Sequence, residues 1–217
     1  MDSQYKQRLE SGIDALSMSF NQETITTLLA YHQLLIKWNK AYNLTAVRDP
    51  DTMIDRHLLD SLSIAPYLKG ERFIDVGAGA GLPGIVMAII FPQRAFDLLD
   101  SNGKKTRFLF QVKTELQLNN IAVHHCRVEQ YSGQLYDGVL SRAFATLTDM
   151  VQGSQQLLAE QGLFYAMKGI YPEDELKQLS QLEKSYKVEA CHQLSVPNND
   201  GQRHLIILKK HREQSLG

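Results

Sequence analysis

The stretch Asp75-Val-Gly-Ala-Gly-Ala-Gly-Leu-Pro-Gly84 decides how the rest of the chain is read. A short apolar run, Arg72 to Val76, leads into it, and Leu82 to Phe91 is apolar at helical length behind Pro83. This pattern predicts strand, tight loop and helix. Glycine at Gly77, Gly79 and Gly81 lets backbone approach a ligand where a Cβ would collide, and the helix that follows offers unpaired N–H groups at its first turn. The expectation is a cradle for a nucleoside cofactor.

Downstream, strand and helix keep alternating. Ala95 to Asp100, Ile121 to His125, Asp137 to Ser141 and Gly162 to Met167 read as strands, with helices over Lys104 to Leu118, over Leu147 to Ala159 and from Pro172. Such alternation predicts a mostly parallel, doubly wound sheet. Two more strand-like stretches, Lys187 to Val196 and Arg203 to Lys209, flank the turn-rich Pro197-Asn-Asn-Asp-Gly201, so an antiparallel hairpin is expected to complete a seven-stranded sheet. Upstream, Ile25, Leu28, Leu29, His32, Leu35 and Ile36 recur at helical spacing within Gln22 to Tyr42. Pro50-Asp51 opens a second helix carrying Met53, Ile54, His57, Leu58, Ser61, Leu62 and Ala65 to about Tyr67. The predicted fold is α/β and Rossmann-like, with a helical extension over 1–69 packed on a core over 70–217.

At 217 residues and a net charge of −1, nothing global advertises a polyanionic partner, so any nucleic-acid reading must rest on where individual Lys and Arg residues fall. Cys126 and Cys191 lack the spacing that zinc needs, and no metal is expected. The first dozen residues have no apolar signal core, and the longest apolar run, Ile85 to Phe91, is too short to span a bilayer. A cytoplasmic monomer with no membrane partner is expected.

Gly79 to Gly84 also spells GxGxxG, which makes a dinucleotide-dependent oxidoreductase the competing reading. Asp75 tilts the balance. A carboxylate just ahead of the glycines suits a cationic amino-acid moiety and would repel a pyrophosphate, which favours S-adenosylmethionine, with S-adenosylhomocysteine as product. Asp100, ending the next strand, can accept both ribose hydroxyls, but would do so for either cofactor. No Tyr-xxx-Lys pair or His-Asp relay supports hydride transfer. A third reading is an RNA-binding module that senses the cofactor without turnover.

In open α/β sheets, ligands bind beyond the carboxyl ends of the strands. Arg127, Arg142 and Lys168 each follow a predicted strand, so they are expected to face one crevice and to suit an anionic substrate such as nucleic acid. Lys104, Lys105, Arg107 and Lys209-Lys-His-Arg212 would extend that footprint. The acceptor narrows by chemistry. Cytosine C5 transfer needs a cysteine nucleophile in a Pro-Cys setting, which neither cysteine has. Exocyclic amine enzymes often carry an Asn/Asp-Pro-Pro-aromatic signature where this chain has Ser141-Arg-Ala-Phe144. Guanine N7 has an in-plane lone pair and no proton to lose, so a basic crevice without an evident base is compatible with it. Arg142 must then leave N7 free and hold O6, a phosphate or the cofactor. Phe144 is either a stacking platform or a core residue.

Trp38-Asn-Lys-Ala-Tyr-Asn-Leu-Thr45, Arg56-His-Leu-Leu-Asp-Ser61, Asp75 to Gly84, Leu99-Asp-Ser101 with Lys104 to Leu109, Arg127-Val-Glu129, Asp137 to Ala145 and Met167-Lys-Gly169 together resemble the bacterial small-subunit ribosomal RNA methyltransferase G family, also called glucose-inhibited division protein B. The resemblance runs from about Asn21 to Lys209. It implies a class I methyltransferase that uses S-adenosylmethionine to methylate N7 of one guanosine in 16S ribosomal RNA near the decoding region, with that RNA or the small subunit as partner. Matched by motif, Gly77, Leu82, Val128, Glu129 and Arg142 would contact the cofactor. Arg127, Arg142 and Lys168 would line the basic substrate crevice. Asn43, His57 and Asp60 fall in the helical extension that closes over the site, with Asn43 and His57 as further catalytic candidates. Lys105 stands where the family often has Arg, which bears on a peripheral phosphate contact.

Overall fold

The computed structural model describes residues 2–142, 144, 146–182 and 185–211. Arg212 of the basic tail and Ala143 and Ala145 of the Asp137 to Ala145 motif lie outside the described residues.

The chain opens with helices α1 (Asp2–Ala15) and α2 (Gln22–Tyr42). The α2 boundaries follow from local chemistry: Asn21 caps its start by accepting the Thr24 N–H at 2.8 Å, and Asn43 ends it in the left-handed conformation at φ 51°. Next comes one continuous helical run: α3 (Pro50–Met53), a π-helical turn (Ile54–Leu59) and α4 (Asp60–Leu62), trailed by a 3₁₀ turn (Ala65–Tyr67). Asp49 caps it through the Thr52 N–H, and Pro50 holds the first helical position. Helix α1 was not foreseen, because Leu9 and Ile13 are the only apolar side chains its polar sequence buries fully among the described residues. Gly12 brings it so close to the π turn that a Cβ there would lie 2.2 Å from Leu59 Cδ1.

Seven strands follow: β1 (Arg72–Val76), β2 (Ala95–Asp100), β3 (Ile121–His125), β4 (Tyr136–Ser141), β5 (Leu158–Lys168), β6 (Tyr186–Gln193) and β7 (His204–Lys210). They form one sheet in the order β3-β2-β1-β4-β5-β7-β6. The first five run parallel, while β7 pairs antiparallel with both β5 and β6. This is the expected mostly parallel sheet with its antiparallel hairpin. Helices α5 (Gly84–Ile90), α6 (Gly103–Glu115), α7 (Leu147–Ser154) and α8 (Glu173–Leu182) make the crossovers. Helix α7 is shorter than its apolar pattern suggested. A 3₁₀ turn ends it, and the chain enters β5 at Leu158, irregularly paired around Gly162, where a Cβ would lie 2.8 Å from the Tyr136 carbonyl.

Side chains alternate across the sheet and assign the two faces. Phe73 joins Leu28, Leu35, Leu59, Phe96 and Phe108 in the cluster that unites the extension with one face, whereas Ile74, Val139, Phe164, Met150 and Leu208 form the core of the other. The same parity puts Asp75 on the Phe73 face. The order in which strands are added reverses between β1 and β4, which run parallel, so a crevice opens beyond their carboxyl ends. Among the described residues, no helix is long and apolar enough to cross a membrane.

Candidate functional site

The loop after β1 is tied to β2, because the Gly77 and Ala78 N–H groups both donate to the Leu99 carbonyl at 2.8 and 3.0 Å. Gly77, Gly79 and Gly81 have φ of 71°, 59° and 89°, a region that costs other residues roughly 1–2 kcal/mol each. They serve different ends. A Cβ on Gly79 would meet nothing nearer than Gly77 O at 3.8 Å and Lys105 Nζ at 3.9 Å, so that glycine faces open space. A Cβ on Gly81 would strike Ile85 Cγ1 at 2.3 Å, and one on Gly84 would strike Leu98 Cδ2 at 2.2 Å. Gly81 therefore answers to the protein's own packing as well as to the turn, and Gly84 lets α5 lie against β2.

A cavity of about 370 Å³ lies at the carboxyl ends of β1, β2 and β3, walled by Gly77, Asp100, Arg127, Val128, Glu129 and Phe144 among others. Its size falls within the range of small-ligand sites. Asp100 is buried on its wall. Oδ2 accepts the Gly79 N–H at 2.9 Å and Oδ1 the Asn102 N–H at 2.8 Å, and each oxygen keeps a second lone pair for a hydroxyl. Cys126, set aside above as a zinc ligand or nucleophile, and Ser101 of the Leu99-Asp-Ser101 motif also line this cavity, neither having been named as a site residue.

Asp75 does not stand at the loop's mouth. It is buried beneath the loop, and its Oδ2 accepts the Gly84 N–H at 2.8 Å at the start of α5. Burial pushes its carboxyl up to about 7, against the Gly84 hydrogen bond and Arg142. Oδ1 has no hydrogen-bond partner among the described residues. A buried acceptor left unpaired is costly, so this oxygen marks a place where a donor is missing from the protein itself. The open face of Gly79, the lone pairs of Asp100 and the unspent Asp75 Oδ1 fit a nucleoside joined to a cationic amino acid.

The three strand-end cations differ in surroundings. Arg127 is exposed on the cavity wall with no ion-pair partner among the described residues. Arg142 Nη1 lies 3.3 Å from Asp60 Oδ2, at an angle that leaves it without a hydrogen-bond acceptor among the described residues. Lys168 Nζ pairs with Glu175 Oε2 at 2.8 Å and reaches the Phe144 carbonyl at 3.4 Å. Two of the three charges are thus met within the protein, and the crevice is less cationic than the sequence implied. Phe144 also packs against α7 at Gly153, so its ring is at once a cavity wall and a core contact.

The basic tail falls in a different place from the one expected. Because β7 is antiparallel, His204 pairs with Lys168 at the carboxyl end of β5, whereas Lys209 pairs with Leu163 and Lys210 with Tyr186 at the start of β6, at the end of the sheet away from the crevice. The same reversal brings a residue the sequence did not flag to the crevice end. Arg203, just before β7, donates from Nε to Asp60 Oδ1 at 3.0 Å. Lys105 sits 3.8 Å from Asp100, and Lys104 and Arg107 are exposed on α6.

In the extension, Asn43 is the left-handed cap of α2, and its Oδ1 accepts from Arg48 at 2.7 Å. His57 is buried. A carbonyl only accepts, so the 2.9 Å contact to Arg56 O places the ring proton on Nδ1, and Nε2 accepts the Thr45 hydroxyl at 2.8 Å. Burial and the Arg142 charge pull His57 down to about 4. It is neutral near pH 7, with both ring nitrogens engaged. Among the described residues, no group of three His, Cys, Asp or Glu side chains is arranged to hold a metal ion.

Against known proteins, residues 24–206 match the family described as rRNA small subunit methyltransferase G. The chain is 51% identical over 209 residues to the "Ribosomal RNA small subunit methyltransferase G" of Stutzerimonas stutzeri (strain A1501), covering 95% of this chain and 96% of that protein. It is 51% identical over 212 residues to the protein of the same name from Saccharophagus degradans (strain 2-40), covering 97% and 94%. Among solved structures, the mitomycin 7-O-methyltransferase MmcR aligns with a TM-score of 0.62 at 14% identity, over 83% of this chain and 60% of that one. M. jannaschii TYW2, in complex with AdoMet, aligns with a TM-score of 0.52 at 13% identity, over 70% and 74%. Identities this low carry the fold alone, and that fold is the class I methyltransferase sheet.

Proposed function

The chain belongs to the rRNA small subunit methyltransferase G family and is a small-subunit ribosomal RNA methyltransferase, and from that premise we propose that it moves a methyl group from S-adenosylmethionine to N7 of one guanosine in 16S RNA. The observation that carries the cofactor half is the cavity beyond β1, β2 and β3 with Asp100 on its wall.

In this reading Asp100 accepts the ribose hydroxyls, Gly77 and Gly79 admit the amino-acid arm, and Val128 and Glu129 border the adenine. Leu82, buried behind the loop, supports it from within. When bound, the cofactor would supply an electrophilic methyl group on sulfonium sulfur for the N7 lone pair, with the C–S bonding electrons staying on sulfur and the positive charge passing to the purine. Donor and acceptor must be in line, and the rate comes mainly from holding them so.

The protein's share is therefore positioning. N7 carries no proton, so no base is called for, which agrees with a neutral His57 whose Nε2 is already engaged by Thr45. Asp75 is buried and turned toward Gly84, out of reach of a base to be methylated. Arg127 meets RNA phosphate at the cavity wall, and Arg142 offers the exposed part of its guanidinium to guanine O6, a phosphate or the cofactor. Lys168, paired with Glu175, steadies the Phe144 segment, and Asn43 shapes the loop that carries Thr45. We assign residues 1–69 as an extension packed on a methyltransferase domain over 70–217, acting as a cytoplasmic monomer.

The deciding experiment is methyl transfer to 16S RNA and to small subunits from cells lacking the protein, with the product nucleosides identified by mass spectrometry. N7-methylguanosine is expected, and any other methylated nucleoside overturns the regiochemistry. Calorimetry tests the cofactor. S-adenosylhomocysteine should bind and NADH should not.

A further inference from the structure

The π-helical turn at Ile54–Leu59 sets two carboxylates one above the other. The Asp60 N–H donates to the Asp55 carbonyl five residues back, which stacks Asp55 and Asp60 on one side. On a regular α-helix, residues five apart are turned roughly 140° from each other and could not share a side. Both reach the connection between β6 and β7, but they grip different things.

Asp55 holds α1 and the loop. Arg8 Nε donates to its Oδ1 at 3.0 Å, Arg8 Nη2 pairs with Oδ2, and Asn198 Nδ2 donates to Oδ1 at 3.3 Å. Asp60, 1% exposed, divides its oxygens between Arg203 on Oδ1 at 3.0 Å and Arg142 on Oδ2 at 3.3 Å. Only Asp60 touches the crevice. Arg142 is half-buried, and Asp60 is its ion-pair partner among the described residues: Tyr31 is buried and bound to the Ala80 carbonyl, His57 is neutral, and Asp75, which feels the Arg142 charge, makes no ion pair with it.

We infer that Asp60 is a positioning residue, whose carboxylate fixes the Arg142 guanidinium at the end of β4 through its buried Nη1, so that the part of the side chain left exposed is held in place for substrate or cofactor. The contact geometry supports this. Asp60 Oδ2 stands 3.3 Å from the buried Arg142 Nη1, and Arg203 on the other oxygen holds the carboxylate with Oδ2 facing Arg142. Charge also has a second use. Methylation places a positive charge on the purine, and a bare guanidinium nearby would oppose it, whereas one countered by Asp60 opposes it less.

This rests on the methyl-transfer reading, so the test carries one readout that needs turnover and one that does not. Asp60→Asn keeps size and loses charge, and Asp55→Asn does the same to the other carboxylate of the turn. With small subunits as substrate, Asp60→Asn should lower kcat roughly 100-fold, the scale of a small misplacement at a reacting centre. Asp55→Asn should lower the melting temperature at least as much while keeping wild-type kcat. In protein with ¹⁵N-labelled arginine, the Arg142 guanidinium should show restricted Nη rotation in wild type and in Asp55→Asn, and free rotation in Asp60→Asn. Equal loss of kcat in both variants, or an Arg142 signal untouched by Asp60→Asn, overturns the inference. Wild-type protein inactive on small-subunit RNA defeats the functional reading instead, and the arginine signals still decide whether Asp60 fixes Arg142.

Discussion

Asp100 Oδ2 accepts the Gly79 N–H at 2.9 Å, so the carboxylate on the cavity wall also holds the glycine loop beside it. One carboxylate thus serves two halves of the site. Asp100→Ala should remove both, weakening S-adenosylhomocysteine binding by at least about tenfold, since hydrogen bonds to a charged group are worth about 1.5–3 kcal/mol. Titration calorimetry measures it, and unchanged affinity would remove Asp100 from the site.

Gly79, beside open space, and Gly81, packed against Ile85, should respond differently to alanine. At Gly79 the added Cβ has room, so Gly79→Ala should cost only the left-handed strain of roughly 1–2 kcal/mol while crowding the ligand. At Gly81 the Cβ meets Ile85 and Leu109, and Gly81→Ala should destabilise the fold by a further 1–3 kcal/mol of overpacking. Urea unfolding alongside S-adenosylhomocysteine titration separates them. A Gly79→Ala protein with wild-type affinity would show that this face of the loop is not a ligand surface.

His57 and Asp75 tilt stability against pH in opposite directions. His57, held down to about 4, refuses a proton that the unfolded chain takes up below 6.5, so its contribution is complete above 6.5 and is lost as pH falls toward 4. Asp75, raised to about 7, keeps a proton that the unfolded chain releases near 3.8, so its contribution is full below 3.8 and is lost as pH rises through 7. Relative to wild type, Asp75→Asn should become more stable with rising pH between about 4 and 7, by roughly 1 kcal/mol per pH unit. His57→Gln should show the opposite slope between about 4 and 6.5. Unfolding free energies measured across that range check both, and variant curves parallel to wild type would contradict them.

Arg127→Ala should leave thermal stability unchanged, because the side chain is exposed and makes no ion pair among the described residues. It should raise KM for the RNA and reduce the slope of log KM against log salt by about one phosphate contact. Steady-state kinetics at several salt concentrations decide it. An unaltered slope would place Arg127 off the RNA path.

Much of this architecture is written locally. Asn21, Asp49 and Pro50 announce helix starts through side-chain chemistry, and the apolar runs of β1 to β4 end close to where the sequence placed them. Strand ends flanked by Asp100, Arg127 and Arg142 could be picked out for the same reason. What escaped depends on partners distant in sequence. The polar helix α1 is held by Arg8 on Asp55, forty-seven residues away, and leaves little apolar stripe to see. Arg203 reaches the crevice only because β7 runs antiparallel, so a rule that reads the residue after each strand finds Lys209 and Lys210 instead, at the wrong end of the sheet. The burial of Asp75 and the engagement of Lys168 by Glu175 likewise follow from packing that one-dimensional spacing does not encode.

The position of β7 carries a consequence for how the chain is made. It is the last of the seven strands in sequence, yet it lies inside the sheet, between β5 and β6. During synthesis β6 emerges with no strand to pair with, and β5 keeps an open hydrogen-bonding edge until residues 204–210 arrive. Arg203, delivered with that same segment, then reaches Asp60. Completion of the sheet and assembly of the charged cluster around Arg142 are therefore a single late event, and a nascent chain stalled before residue 203 has neither.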